Sequence, residues 1–171
     1  TKLRKPEQRP VKKDGNTSKR SRGPPEQKKK LNCLYGVAQL AERHSDSIEN
    51  LLQELVNFLP FSWHYPEITC ARIVFNGKTY KSKGFKVTNW RQSSQISMYN
   101  ETVGEVTIVY LEERPPLDEG PFLKEERVLL DALAERIESS AIRISAELEL
   151  QETNKQLVVE RKALQEANAA L

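Results

Sequence analysis

Reactive side chains are scarce in this sequence. Its 171 residues include two cysteines, two histidines and one methionine, and neither glycine nor proline occurs after Pro121. Cys33 and Cys70 form no CxxC pair and have no clustered histidines around them. Metal binding and a disulfide framework are therefore not expected, and both thiols read as reduced and buried. There is no GxGxxG, no P-loop and no HExxH. His44 sits at the end of a helical pattern and reads as exposed, and His64 sits in a loop. Neither has a nucleophile or acid at a telling spacing. No stretch approaches the roughly 18 apolar residues of a membrane span, and the N-terminal region lacks the apolar core of a signal peptide. These absences predict a cytoplasmic chain with no membrane contact, no cofactor, no metal and no catalytic residues of its own.

Charge is present but unevenly spread. Residues 1–30 hold 12 Lys/Arg and 3 Asp/Glu, whereas the overall net charge is only +3. That basic stretch has Leu3 and Val11 as its apolar side chains, with four prolines and two glycines. It cannot bury enough surface to offset the entropy of ordering, so residues 1–30 are expected to be a disordered tail. A basic tail suits nucleic acid or an anionic membrane. Without interleaved aromatics it reads as a solvated extension, and no nucleic acid is expected to bind here.

From Lys30 onward the chain becomes periodic. Leu31, Leu34, Tyr35, Ala38 and Ala41 share one helical face up to Arg43. Ser45-Asp46-Ser47 supplies a break and an N-cap. Ile48, Leu51, Leu52, Leu55, Val56 and Leu59 predict a second helix, ended by Pro60. Thr69–Phe75 and Lys78–Lys81 read as strands joined by the hairpin pair Asn76-Gly77. Gly84–Trp90 is either a short strand or a loop. Ser94–Tyr99 alternates, turns at Asn100-Glu101 and pairs with Val103–Leu111. The order predicts an α+β fold: a mostly antiparallel sheet with the N- and C-terminal helices on one face.

Between helix and sheet lies the most distinctive patch, Pro60-Phe61-Ser62-Trp63-His64-Tyr65-Pro66-Glu67. Trp and Tyr combine apolar area with a polar handle, and loops on a scaffold often bind. Trp63, Tyr65 and Trp90 are candidates to line a small-molecule pocket, with Arg72 (or Arg91) pairing an anionic group. The competing reading is that these aromatics plug the helix–sheet junction.

The last third predicts one long helix with Pro121 at its first position. At 1.5 Å per residue, fifty residues span roughly 75 Å, longer than the domain that remains. The helix carries two series with a spacing of seven. Leu130, Ile137 and Ile144, with Phe122, Leu129 and Leu133, suit packing on the domain. Leu150, Leu157, Leu164 and Leu171 suit a leucine-zipper seam. The step from Ile144 to Leu150 is six residues, so the two series do not share one line. With the leucines at d, the a positions are Asn154, Arg161 and Asn168, and Asn at a favours a parallel, in-register dimer. These seven residues are the expected dimer interface. The regular spacing stops abruptly at Leu171, as if cut within a longer helix leading to an effector.

Trp63-His64-Tyr65-Pro66-Glu67-Ile68-Thr69-Cys70-Ala71-Arg72-Ile73 resembles a signature of GAF-like sensor domains of bacterial signalling proteins. Asp118-Glu119-Gly120-Pro121-Phe122-Leu123-Lys124-Glu125-Glu126-Arg127 resembles the entry to the last helix of that domain. Trp90-Arg91-Gln92-Ser93 and Gly104-Glu105-Val106 also resemble the family. The resemblance covers roughly residues 31–145 and implies a GAF/PAS-like fold. Such domains occur in sensor histidine kinases and in regulators ending in a LuxR-type helix-turn-helix. The stretches 150–157 and 160–171 resemble the coiled-coil linker of the LuxR-type group. The expected organisation is a tail over 1–30, a sensor domain over 31–145 and a signalling helix over 146–171. The implied function is sensing and homodimerisation, relayed to a transcriptional effector or a kinase. A constitutive dimerisation module without ligand is the alternative.

Overall fold

The computed structural model describes residues 24–171. Residues 1–23 of the tail expected over 1–30 lie outside the described residues. Helix α1 spans Pro24–Arg43, so residues 24–30 are helical and the boundary expected at Lys30 moves back. Two prolines open the helix, where a missing N–H costs nothing, and Glu26 lies in its first turn, where the helix dipole favours an acid. Helix α2 spans Ile48–Phe58, and the Ser47 side chain accepts a hydrogen bond from the Asn50 N–H. α2 ends at Phe58, just ahead of Pro60 as expected, and the chain continues in a 3-10 turn over Leu59–Ser62.

Four strands follow: β1 (Thr69–Phe75), β2 (Lys78–Lys81), β3 (Arg91–Met98) and β4 (Glu101–Tyr110). They form one antiparallel sheet in the order β2-β1-β4-β3. Asn76 and Gly77 both have positive φ, as a two-residue type I′ hairpin requires. The second hairpin turns at Tyr99-Asn100, whose φ angles are 52° and 66°, one residue earlier than Asn100-Glu101. Met98 pairs directly with Glu101, and this register fixes the turn. Residues 84–90 form a loop, and β3 begins at Arg91. Gly104 of β4 pairs with Phe75 of β1. A Cβ there would lie 2.0 Å from the Val74 carbonyl oxygen, so a side chain would push the strands apart.

Alternation divides the sheet into two faces. Ala71, Ile73, Phe75, Ile96, Val106, Ile108 and Tyr110 point to the helices and join the apolar core. α2 supplies Leu51, Leu52, Leu55 and Val56, and α1 supplies Cys33 and Val37. Both cysteines are buried and free, and burial pushes the Cys33 thiol pKa up. His44, expected at the surface, is half-buried.

Helix α3 spans Lys124–Ala169, three residues later than Pro121 suggested. Pro121 is buried in a tight turn, in which the Leu117 N–H donates to Gly120 O (2.6 Å) and Glu119 exchanges hydrogen bonds with Phe122 (2.9 and 3.0 Å). Asp118 caps the helix by accepting the Lys124 N–H at 3.0 Å. The result is an α+β domain with the terminal helices against one side of an antiparallel sheet, followed by a long helix. No helix among the described residues is long and apolar enough to cross a membrane.

Candidate functional site

Two short 3-10 turns, Leu59–Ser62 and Pro66–Ile68, carry the chain from α2 into β1. The bend between them drops Trp63 into the core, where it is fully buried. Its Nε1 donates to Gln92 Oε1 at 2.8 Å, so the one polar atom of the indole is satisfied. Tyr65 is half-buried. Its ring meets Tyr110 edge-on at 5.5 Å and His64 at 4.5 Å, and the Arg114 guanidinium lies 5.1 Å from its centroid. Trp90 packs partly buried against the same core, and its carbonyl accepts the Tyr110 N–H at 2.9 Å.

Arg72 is elsewhere. Ala71 and Ile73 point into the core, so alternation puts Arg72 on the opposite face of β1. There its guanidinium sits 5.3 Å from the Phe85 centroid, and its Nε is buried without a hydrogen bond among the described residues. The four expected ligand residues therefore do not line one site. Three aromatics pack the helix–sheet junction, and the arginine stands across the sheet from them. The reason is strand parity, which short-range spacing from Trp63 could not convey through the intervening turn at Pro66–Ile68.

The face around Arg72 is polar and internally bonded. Arg72 and Ser93 each pair in register with Thr107. Ser93 Oγ and Thr107 Oγ1 are 3.0 Å apart, and Thr107 Oγ1 donates to Glu105 Oε1 at 2.9 Å. Hydrogen bonds from Ser93 and Thr107 hold the Glu105 carboxyl below its usual range. Among the described residues no group of three or more His, Cys, Asp or Glu side chains is placed to hold a metal ion.

A buried carboxylate escaped the sequence reading. Glu126 is 5% exposed at the start of α3. Its Oε1 accepts the His64 N–H at 2.7 Å and the Tyr110 hydroxyl at 3.3 Å, and its Oε2 accepts the Leu123 N–H at 2.8 Å. One side chain thus ties α3 to the aromatic loop and to β4. Burial pushes its pKa up, against the opposing pull of those N–H donors. Burial and the nearby Glu126 charge also raise the Tyr110 phenol. The available signal was an acid at the third position of a helix, where it reaches back to an orphan N–H. Next to it, Arg127 binds Glu119 through Nε (2.8 Å) and donates to the Ser93 carbonyl at 2.6 Å. Asp118 and Glu119 are thus both engaged around the start of α3, Asp118 with the Lys124 N–H and Glu119 with Arg127.

Helix α3 divides at Ile144. Leu129, Leu130, Leu133, Ile137 and Ile144 are buried, whereas every residue from 145 onward is exposed. Residues 145–169 extend about 37 Å past the last buried side chain at 1.5 Å per residue. Leu150, Leu157, Leu164 and Leu171 are 61%, 56%, 65% and 105% exposed. They line one side of the bare helix together with Asn154, Arg161 and Asn168, all exposed. Such a row of leucines in water is an uncovered apolar surface. No family model matches the sequence, and no curated protein matches it.

Proposed function

We propose that this chain is the sensory and dimerisation module of a cytoplasmic bacterial signal-transduction protein. The observation that carries the reading is the division of α3. A buried seam attaches the helix to the domain as far as Ile144, and an exposed leucine seam begins at Leu150. A second copy covering Leu150, Leu157, Leu164 and Leu171 in parallel gives the bare helix the partner its leucines lack. Asn154 and Asn168 then fix the register. A ligand-induced change in the α+β domain shifts the start of α3, held by Glu126 and Arg127, and alters the packing of the paired helices. The output is a LuxR-type DNA-binding regulator, an assignment that rests on the resemblance of residues 150–157 and 160–171 to that linker; the alternative is a histidine kinase. A third reading, a constitutive dimerisation module without ligand, gains from the fully buried Trp63 and from the separation of Arg72 from the aromatics.

Sedimentation equilibrium tests the dimer. The wild type is expected as a dimer at micromolar concentration, and the Leu157→Asp/Leu164→Asp variant as a monomer. The variant also loses far-UV helical signal, because an unpartnered helix of this length is only marginally stable in water. A wild type that remains monomeric at high concentration overturns the proposal.

A further inference from the structure

We infer that the groove between α1 and α3 is a second half of the dimer interface, occupied by α1 and α3 of a second copy of this chain. The inference rests on the dimer reading above and extends it to a surface that the leucine spacing does not reach.

An α-helix turns about 100° per residue. Leu150 lies five whole turns beyond Ala132, so the two point in the same direction. Ser139, about three turns before Leu150, lies within roughly 20° of it. Ile144, on the face buried against the domain, is about 120° away. The six-residue step thus turns the leucine seam away from its own domain, and the seam's direction continues back along α3 through Ser139 and Ala132.

Those two residues line a groove of about 540 Å³ with Leu34 of α1, Glu135 and Arg136. A second depression of about 220 Å³ adjoins it, with Ala38 and Glu42 on the α1 side and Arg136 and Arg143 on the α3 side. The two helices run parallel here. Gln27 shares a depression with Val128, and further along the Arg143 guanidinium donates to the Ala41 carbonyl at 3.2 Å. On the same flank Leu31 and Tyr35 are each 67% exposed and Val128 is 44% exposed. An apolar strip therefore begins on the domain and points the same way as the zipper.

Three features select a second copy as the occupant. The zipper alone covers few heptads and has Asn, Arg and Asn at its a positions, which weakens it. A specific interface buries about 1,200–2,000 Å², and the groove supplies adjoining surface on the same side. The small side chains Ala132 and Ser139 let helices approach closely where leucine would hold them apart. The groove also carries both charges: Glu42 and Glu135 lie beside Arg136 and Arg143. A two-fold axis sets each patch against itself, so acid can meet base.

Cysteine cross-linking of the 171-residue chain tests this. Cys33 and Cys70 are buried, so background cross-linking is low. Under mild oxidation, Leu157→Cys and Ala132→Cys are both expected to give covalent dimers. The Leu31→Ser/Tyr35→Ser variant, altered only at exposed positions, is expected to weaken dimerisation roughly tenfold or more, with unchanged far-UV circular dichroism at concentrations where it is still dimeric. Cross-linking through Leu157→Cys alone, with wild-type dimerisation of the double serine variant, overturns the groove contact. It leaves the zipper standing and gives the groove to a different partner. A monomeric wild type removes both.

Discussion

Glu126 shows what a single residue does for this fold. Three donors, the N–H groups of His64 and Leu123 and the Tyr110 hydroxyl, converge on its two oxygens. In Glu126→Gln one of those oxygens becomes an NH₂ facing a donor, and the loss is expected to be about 1–3 kcal/mol. The pH dependence has a definite sign. Burial raises the folded pKa of Glu126 above its ordinary 4.5, so the folded state keeps a proton that the unfolded chain has released. Its contribution to stability therefore falls as pH rises from the ordinary value through the raised one. Urea denaturation across that window should show the deficit of the variant shrinking as pH rises, because only the wild type loses stability there. A constant deficit would remove burial as the cause. Glu119 has the opposite sign. Hydrogen bonds from Arg127 hold its carboxyl low, so its contribution is present above the unfolded value and lost as pH falls through the folded one.

At the scale of elements, local chemistry was a good guide wherever it acted locally. Asn76-Gly77 specified its own hairpin, and Ser47 specified the start of α2. The second hairpin shows where this fails. Register with β4 puts Tyr99 into the left-handed region, φ 52°, although Asn100 and Glu101 looked better suited to a turn. A tyrosine there is strained, and its side chain is 76% exposed, so little packing offsets the strain. Tyr99→Asn is expected to stabilise the protein by about 0.5–1 kcal/mol, read as a higher denaturant midpoint with an unchanged slope. A lower midpoint would mean that the ring makes a contact worth more than the strain. The start of α3 follows the same lesson. Pro121 is acceptable as a first helical residue, but the hydrogen bonds among Leu117, Glu119, Gly120 and Phe122 hold it in a turn.

On the scale of the whole molecule, the domain and the projecting helix are separable by burial. Nothing after Ile144 is buried, so removing residues 146–171 takes no side chain out of the core. The shortened chain is expected to unfold cooperatively and to keep the near-ultraviolet circular dichroism of the buried Trp63. Its self-association should weaken sharply with the leucine seam gone. A shortened chain without a cooperative transition would show that the helix supports the domain as well as extending from it.

Periodicity by itself determined the order of the elements, the α+β class and the two apolar series of α3, because burial on one face imposes a period of two or 3.6 on the residues that share it. Local pattern could not report which residues from distant elements meet. Strand parity sent Arg72 to the face away from Trp63, Tyr65 and Trp90, and the fold buried Glu126 between His64, Leu123 and Tyr110. The last buried side chain along α3 is Ile144, beside the boundary read at residue 145 from the two apolar series. That placement turned the six-residue step from Ile144 to Leu150 into a change of direction, from the core toward solvent. The step was legible in the sequence, but its direction depended on what packs against the helix, and only the folded domain supplies that.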